Sequence, residues 1–424
     1  MSTIHQLSGL EILDSRGRPT VQATCELTNG AIGTVSVPSG ASTGQAEALE
    51  LRDGDPARYR GLGCRQAVGH INHELNAALA NQTFEDQAEL DARLLALDGT
   101  PNKAKLGANA LLAVSLAFAR AEAQAQGKPL YQHFASLIGS ATAKTLPRPT
   151  INLFSGGKHA GGQVPIQDVL IVANAAQTID EALAITYAVY QAAADFSQDK
   201  YGARALTADE GGLAPPFTNA NEMLDDAVSA IEEAGYRPGE DVTLAVDVAS
   251  SHFYKNSHYH FNTEPEAAAA MIEHLLDWVN RYPIVSLEDG LSEDDWENWP
   301  TLLSKVAGRA LILGDDLLCT NPTRIQRAID TAAADALLLK VNQIGTLSEA
   351  STAYKLARSA NWGVTVSARS GETEDNWLAD LAVGWGGDQI KIGSITQSER
   401  LAKYNRLLAI EAETKLPLVT WPNK

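Results

Sequence analysis

The second half of the chain keeps one rhythm: a short unbroken apolar run, a charged residue that ends it, then a helical pattern. The runs are VTLAVD (ending at Asp247), IVSLED (Glu288 and Asp289), ALILGDD (Asp315 and Asp316), DALLLK (Lys340), GVTVSAR (Arg369) and DQIK (Lys391). Their separations fit one strand, one helix and two loops, repeated. Helix starts are readable between them. Thr263-x-x-Glu266 and Thr346-x-x-Glu349 have the form of capping boxes, and Asn321-Pro322 reads as an N-cap followed by a first-turn proline. Apolar runs without alternation predict strands buried on both faces, hence a parallel sheet. Six such units plus the chain from Ile151 to Ala234 suffice for an eight-stranded barrel, with an open doubly wound sheet as the competing architecture. The terminal charges favour the barrel, whose strand C-termini converge on one mouth, where active sites are built.

The first part of the chain has a different texture. Residues Leu10 to Leu27 alternate as strands do, and Asn29-Gly30 marks a tight turn before Ala31 to Val37. From Lys105 to Gln126 the apolar positions recur at helical spacing until Gly127 and Pro129 end the run. Strands followed by helices predict a small α+β domain over residues 1–140, with Ser140 to Pro149 as the joint and a barrel domain over 141–424.

Composition narrows the function. Of 424 residues, 33 are Lys or Arg and 52 Asp or Glu, for a net charge of −19. So acidic a surface repels phosphate backbones and anionic lipid, which argues against nucleic-acid and membrane-surface roles. An anionic substrate must then be held by a local cluster of cations. The three cysteines, Cys25, Cys64 and Cys319, are scattered without C-x-x-C spacing, so neither a disulfide framework nor a thiolate zinc site is expected. The N-terminal sequence lacks the form of a secretory signal, and the most apolar stretch, Ala108 to Ala119, is too short to span a bilayer. A cytoplasmic protein is expected.

The charges at the strand ends carry the candidate chemistry. Asp247, Glu288 and Asp315 would converge on one cavity, where three carboxylates stay ionised only beside something positive. Hard oxygen donors without nearby Cys or His select Mg²⁺ over zinc. The alternative is that each acid caps the helix that follows it. Lys340, Arg369 and Lys391 close the next three strands. A nearby divalent ion and a second lysine would lower the pKa of Lys340 and suit it to act as a base. Arg369 with Ser370 offers a fork for phosphate or carboxylate; salt bridges that merely staple the barrel are the alternative. Three loops add to this: ADEGGLAPP sets Glu210 beside two glycines, SGGKHAGG presents His159, and VPSGASTG (Val37 to Gly44) has the small residues of a moving lid.

These motifs, with NKAKLGANALLAVSLA, LAVDVASSHFY, SLEDGLSEDDW, LGDDLLCTN, LLLKVNQIGTLSE, ARSGETED and IKIGSITQSERLAKYN, resemble the enolase family in order and over essentially the whole chain. The resemblance implies an α/β fold with a C-terminal TIM-like (β/α)8 barrel of the enolase type after a smaller α+β domain. It also implies a lyase that dehydrates 2-phospho-D-glycerate to phosphoenolpyruvate with two Mg²⁺ ions, in glycolysis, as a cytoplasmic homodimer or higher homo-oligomer. Asp247, Glu288 and Asp315 would then hold the first magnesium, and Ser42 the second. Lys340 would take the α-proton and Glu210 would help the hydroxyl leave. Arg369 and Ser370 would clamp the phosphate, with Lys391, His159 and Asp168 as further substrate-binding residues; Asp316 would lie beside the metal site.

Two positions depart from the family. Gln167 is followed by Asp168 where a glutamate is usual, and Ala368 stands where a histidine is usual. A methylene lost at Asp168 withdraws its carboxylate by roughly 1.5 Å, and misplacement of that order costs about 100-fold in rate. The metal, base and phosphate-clamp half is intact, whereas the leaving-group half is altered. Three readings follow: slower dehydration of 2-phosphoglycerate, an enolase-like enzyme acting on a related phosphonate or phospho-acid (carboxyphosphonoenolpyruvate synthases are of that sort), or an inactive binding scaffold. The intact ring of charged positions argues against the last.

Overall fold

A computed structural model of the protein describes residues 1–40, 44–202 and 206–421. The N-terminal strands β1 (Ser2–Leu13), β2 (Pro19–Leu27) and β3 (Ile32–Ser36) form an antiparallel meander. The short β4 (Thr83–Phe84) adds to the far side of β1, giving the order β3-β2-β1-β4. The predicted turn closes β2 onto β3, with the Ala31 amide donating to Asn29 Oδ1 at 3.0 Å. The alanine-rich helix Ala108–Ala125 buries one side after another because sheet and barrel sandwich it. Its first polar residue, Asn109, ties in the segment before it: Leu51 N–H donates to Asn109 Oδ1 and Asn109 Nδ2 to Leu51 O, both at 3.1 Å.

The remaining chain builds a closed eight-stranded barrel. Its strands are β5 (Arg148–Ser155), β6 (Asp168–Ala173), β7 (Val242–Asp247), then, after the small hairpin β8 (Tyr254–Lys255) and β9 (His258–Tyr259), β10 (Ile284–Glu288), β11 (Leu311–Gly314), β12 (Ala336–Leu339), β13 (Gly363–Ser367) and β14 (Gln389–Lys391). The six runs read from sequence are β7 and β10 to β14, all parallel to one another in succession. The expectation of an all-parallel sheet fails at one strand. β6 is antiparallel to both β5 and β7, because the 156–167 loop returns the chain directly instead of through a helical crossover. That reversal puts the first residue of β6, Asp168, at the same mouth as the last residues of β5 and β7, in register with Ser155 and Asp247.

Two local expectations are corrected as well. Thr263 and Glu266 do not open a helix. The Glu266 amide is already used in a two-way backbone bridge with Tyr259 (2.9 and 2.8 Å), so the helix begins later, at Ala268. The joint is also shorter than Ser140 to Pro149, since β5 has started by Arg148 and Pro149 sits at its second position, near a strand start, where a missing N–H is tolerated. Thr346 and Asn321 do cap their helices, accepting from the Glu349 amide and from the Thr323 and Arg324 amides. Among the described residues no helix is long and apolar enough to cross a membrane.

His133, on the helix Leu130–Leu137, is buried and neither ring nitrogen has a hydrogen-bond partner. Burial holds its pKa down near 4. A depressed histidine favours the folded state fully above the unfolded value of about 6.5, and that contribution fades as pH falls toward 4. Urea unfolding at pH 7 and pH 5 should therefore show the wild type losing on the order of 1–2 kcal/mol more than His133→Leu over that interval. Equal losses would mean that the imidazole is charged or solvated in the folded state.

Candidate active site

The barrel mouth gathers the charges in the order the strands dictate. Asp247 and Glu288 end β7 and β10; Asp315, Lys340 and Arg369 lie one or two residues past β11, β12 and β13; Lys391 ends β14. The acids therefore occupy one arc of the rim and the cations the next. Lys391 reaches across to join them: its Nζ donates to Asp247 Oδ2 at 2.8 Å and to Glu288 Oε2 at 2.6 Å. Lys340 Nζ donates to Asp315 Oδ2 at 2.5 Å. All of these side chains are buried or nearly so.

The electrostatics follow from that pairing. Burial alone would raise the pKa of Asp247, but Lys391 outweighs it and holds the carboxyl near 2. Glu288 goes the other way: burial and the adjacent Asp247 charge raise it well above the usual carboxylate range, more than Lys391 can offset. Without a divalent ion beside it, Lys340 has its pKa raised. Burial pulls its pKa down, yet Asp315 more than reverses that, so here its ammonium is held charged.

A second group lies where β5 and β6 meet the mouth. Asp168 is fully buried with both oxygens engaged, accepting from Ser155 Oγ at 2.6 Å and from His159 Nδ1 at 2.9 Å. His159 Nε2 lies 3.7 Å from Glu210 Oε1, and Asn152 Nδ2 donates to Glu210 Oε2 at 3.2 Å. Burial opposes charging of His159, but Asp168 and Glu210 overcome it and push its pKa up to about 9. The Glu210 pKa, which burial alone would raise, is lowered chiefly by His159. Burial raises the pKa of Asp168 even against His159, so imidazole and carboxylate share a proton. His159 is buried rather than presented on an open loop. The Gly211-Gly212 pair makes room for neighbouring side chains rather than a ligand: a Cβ on Gly212 would lie 2.4 Å from Ser155 Oγ, the hydroxyl that holds Asp168.

Between the two groups is a cavity lined by His159, Gln167, Glu210, Asp247, Lys340, Ala368, Arg369, Ser370 and Lys391. Of the residues singled out in the sequence, Glu288, Asp315 and Asp168 do not line this cavity; Glu288 and Asp315 join it through the lysines they bind, and Asp168 through His159. Ala368 contributes a methyl to its wall, and His159 is the imidazole that shares the cavity with it. Arg369 does act as a fork: Nη1 donates to Glu47 Oε2 at 3.0 Å and Nη2 to Glu47 Oε1 at 3.2 Å. Ser42 lies outside the described residues.

Several residues support the site in roles that the sequence does not show. Gln343 donates to Asp315 Oδ1 at 2.8 Å and is itself oriented by Thr320. Gln167 Nε2 donates to Asp247 Oδ2 at 3.1 Å. The fully buried Arg400 binds the carbonyls of Arg369, Ser370 and Ile392 and so fixes the loops after β13 and β14. Such roles depend on which strands are neighbours, which only the closed barrel reveals.

Among the described residues, two groups have ligand atoms within 4.8 Å of one another, His159–Asp168–Glu210 and Asp289–Asp315–Asp316. The first is satisfied internally. In the second, Asp289 spends its oxygens on the backbone amides of Asp315 and Asp316 (2.9 and 2.7 Å), anchoring that loop. The carboxylates of Asp247, Glu288 and Asp315 are not all drawn within that distance, yet as a set their chemistry suits a hard divalent cation. The set's donors are all oxygen, Lys391 and Lys340 pair with it, Glu288 carries a raised pKa, and Glu288 Oε1 is buried without a partner among the described residues.

Family models match the chain in two blocks, the enolase N-terminal domain over residues 4–134 and the enolase C-terminal TIM barrel domain over residues 143–416.

Calorimetric titration with Mg²⁺ alone should show Asp247→Asn binding about 10- to 100-fold more weakly than wild type, and His159→Gln binding with little change. The reverse pattern would place the ion in the His159–Asp168–Glu210 group.

Proposed function

The chain belongs to the enolase family, and from that premise we propose that it abstracts the proton α to the carboxylate of a small phosphorylated hydroxy acid and expels the β-hydroxyl, with 2-phospho-D-glycerate going reversibly to phosphoenolpyruvate. The observation that carries this reading is one small cavity lined by Lys340, Glu210 and His159 together with Arg369 and Ser370. A base and an acid bordering one cavity are what an elimination needs.

In this reading Arg369 and Ser370 clamp the phosphoryl group, which has to replace the carboxylate of Glu47 on the same guanidinium. Lys391 turns from Asp247 and Glu288 to the substrate carboxylate. Asp247, Glu288 and Asp315 would hold the first Mg²⁺ and Ser42 the second. Magnesium there would supply electrostatic stabilisation of the charge that develops on the substrate carboxylate and would take over the charge of Asp315 that now holds Lys340 protonated. Lys340, once neutral, takes the α-proton. His159, with its raised pKa and its contact to Glu210, supplies the proton that Glu210 passes to the departing hydroxyl. The family supports a cytoplasmic, glycolytic role and assembly as a homodimer or higher homo-oligomer.

One observation favours a second reading. Asp168 is fully withdrawn and bound by Ser155 and His159, and Ala368 offers only a methyl, so the leaving-group half has fewer polar groups to offer than the rest of the cavity. An enzyme that forms the same enolate on a related phosphonate or phospho-acid would tolerate that loss.

With Mg²⁺ and 2-phosphoglycerate, the wild type should produce phosphoenolpyruvate absorbance at roughly 1–1000 turnovers per second, and Lys340→Ala should abolish both turnover and exchange of the α-proton into deuterated water. Exchange without turnover selects the second reading. Neither, in the wild type, ends both. Asp168→Glu with Ala368→His should raise turnover about tenfold or more if the altered half limits the rate; no gain removes that explanation.

A further inference from the structure

Arg16 belongs to the N-terminal domain, yet its buried guanidinium reaches the barrel mouth from behind. Nη1 donates to Ser370 Oγ at 3.1 Å, while Nη2 donates to the carbonyls of Ser39 (3.1 Å) and Gly40 (3.4 Å) and pairs with Asp14 Oδ2 at 3.0 Å. Asp14 is itself fully buried and accepts from the backbone amides of Arg16 and Arg18. The barrel is shaped to receive this pair. Ser39 and Gly371 exchange backbone hydrogen bonds at 2.8 and 3.0 Å. A Cβ on Gly371 would lie 2.2 Å from Arg16 Nη2, 2.3 Å from Asp14 Oδ2 and 2.7 Å from the Ser39 carbonyl. The guanidinium therefore sits directly against the loop that carries Arg369 and Ser370.

The chemistry of this contact has a direction. A serine hydroxyl can donate or accept, but a guanidinium can only donate. With its oxygen accepting from Arg16, Ser370 retains its proton to give, and its lone pairs are turned away from an incoming anion. We propose that Arg16 is a positioning residue of the phosphate clamp, which fixes Ser370 as a hydrogen-bond donor to the phosphoryl group. This rests on the assignment of Ser370 to that clamp made above. The Asp14 carboxylate supports it by holding the fork in place and by balancing a charge that burial would otherwise disfavour, as the lowered pKa of Arg16 shows. The device also explains why a residue from the N-terminal domain is needed at a barrel mouth: the loop after β13 has Arg400 on the carbonyls of Arg369 and Ser370, but the Ser370 hydroxyl is met by Arg16.

A double-mutant cycle tests it, read by calorimetry with inorganic phosphate on the magnesium-loaded protein. Ser370→Ala and Arg16→Gln should each weaken phosphate binding about tenfold, the size of one hydrogen bond to a charged group. Combined, they should weaken it no more than either alone. Because Arg16→Gln strands a buried Asp14, the cycle is repeated with Asp14→Asn and Arg16→Gln together, which removes both charges, and thermal unfolding is followed throughout. A role confined to stapling the two domains would lower the unfolding temperature and give losses that multiply in the combined variant, which overturns the proposal. If Ser370→Ala alone leaves phosphate affinity unchanged, the clamp assignment itself is wrong and the proposal falls with it.

Discussion

The structure depends on a charge balance struck inside the barrel mouth. Three carboxylates from β7, β10 and the end of β11 face the amines from the ends of β12 and β14, with Lys391 lodged between Asp247 and Glu288 and Lys340 on Asp315. Buried like charges are costly unless met by opposite ones. The balance struck here is incomplete, for Glu288 keeps a raised pKa and one oxygen without a partner among the described residues. A site short of positive charge, built from oxygen donors, is poised for a divalent cation. An anionic ligand is met instead by the lysines, which now spend their charge on these carboxylates.

Everything around that centre serves to hold it. Thr320 orients Gln343 onto Asp315, Gln167 reaches Asp247, Asp289 anchors the loop of Asp315 and Asp316, and Arg400 ties down the two loops on the cationic side. The N-terminal domain takes part through Glu47, which pairs with Arg369, and through Arg16. The mouth is thus an interface between the domains as much as the end of a barrel. The altered half shows the same economy. Asp168, one methylene shorter than the family norm, is not left reaching toward the cavity but is bound back by Ser155 and His159, and it shares a proton with the imidazole.

Much of this was legible in the sequence, for identifiable reasons. Apolar runs that end in charge predicted six of the eight barrel strands and the arc of residues at their ends, because a parallel strand buried on both faces leaves no alternation to confuse the reading. The reversal of β6 was hidden, since an apolar run carries no mark of direction; its consequence is that Asp168 reaches the site from the start of a strand instead of its end. Thr263 with Glu266 matched a helix-start motif that the backbone bridge to Tyr259 overrode. The charge on Lys340 was argued for a metal-bound site, and the pairing with Asp315 that holds the amine protonated without a metal was not foreseen. Glu47, Gln343 and Arg16 were invisible because their partners lie far away along the chain, and pairing across such distances is settled by the closed barrel and the docked domain.

The most direct test is crystallographic: the protein grown with Mn²⁺ in place of Mg²⁺, and the ion located by its anomalous scattering. The account predicts the first ion among Asp247, Glu288 and Asp315, with the amine of Lys391 moved off Asp247 and Glu288. An ion bound instead by His159, Asp168 and Glu210, with Lys391 still lodged between its two carboxylates, would contradict it.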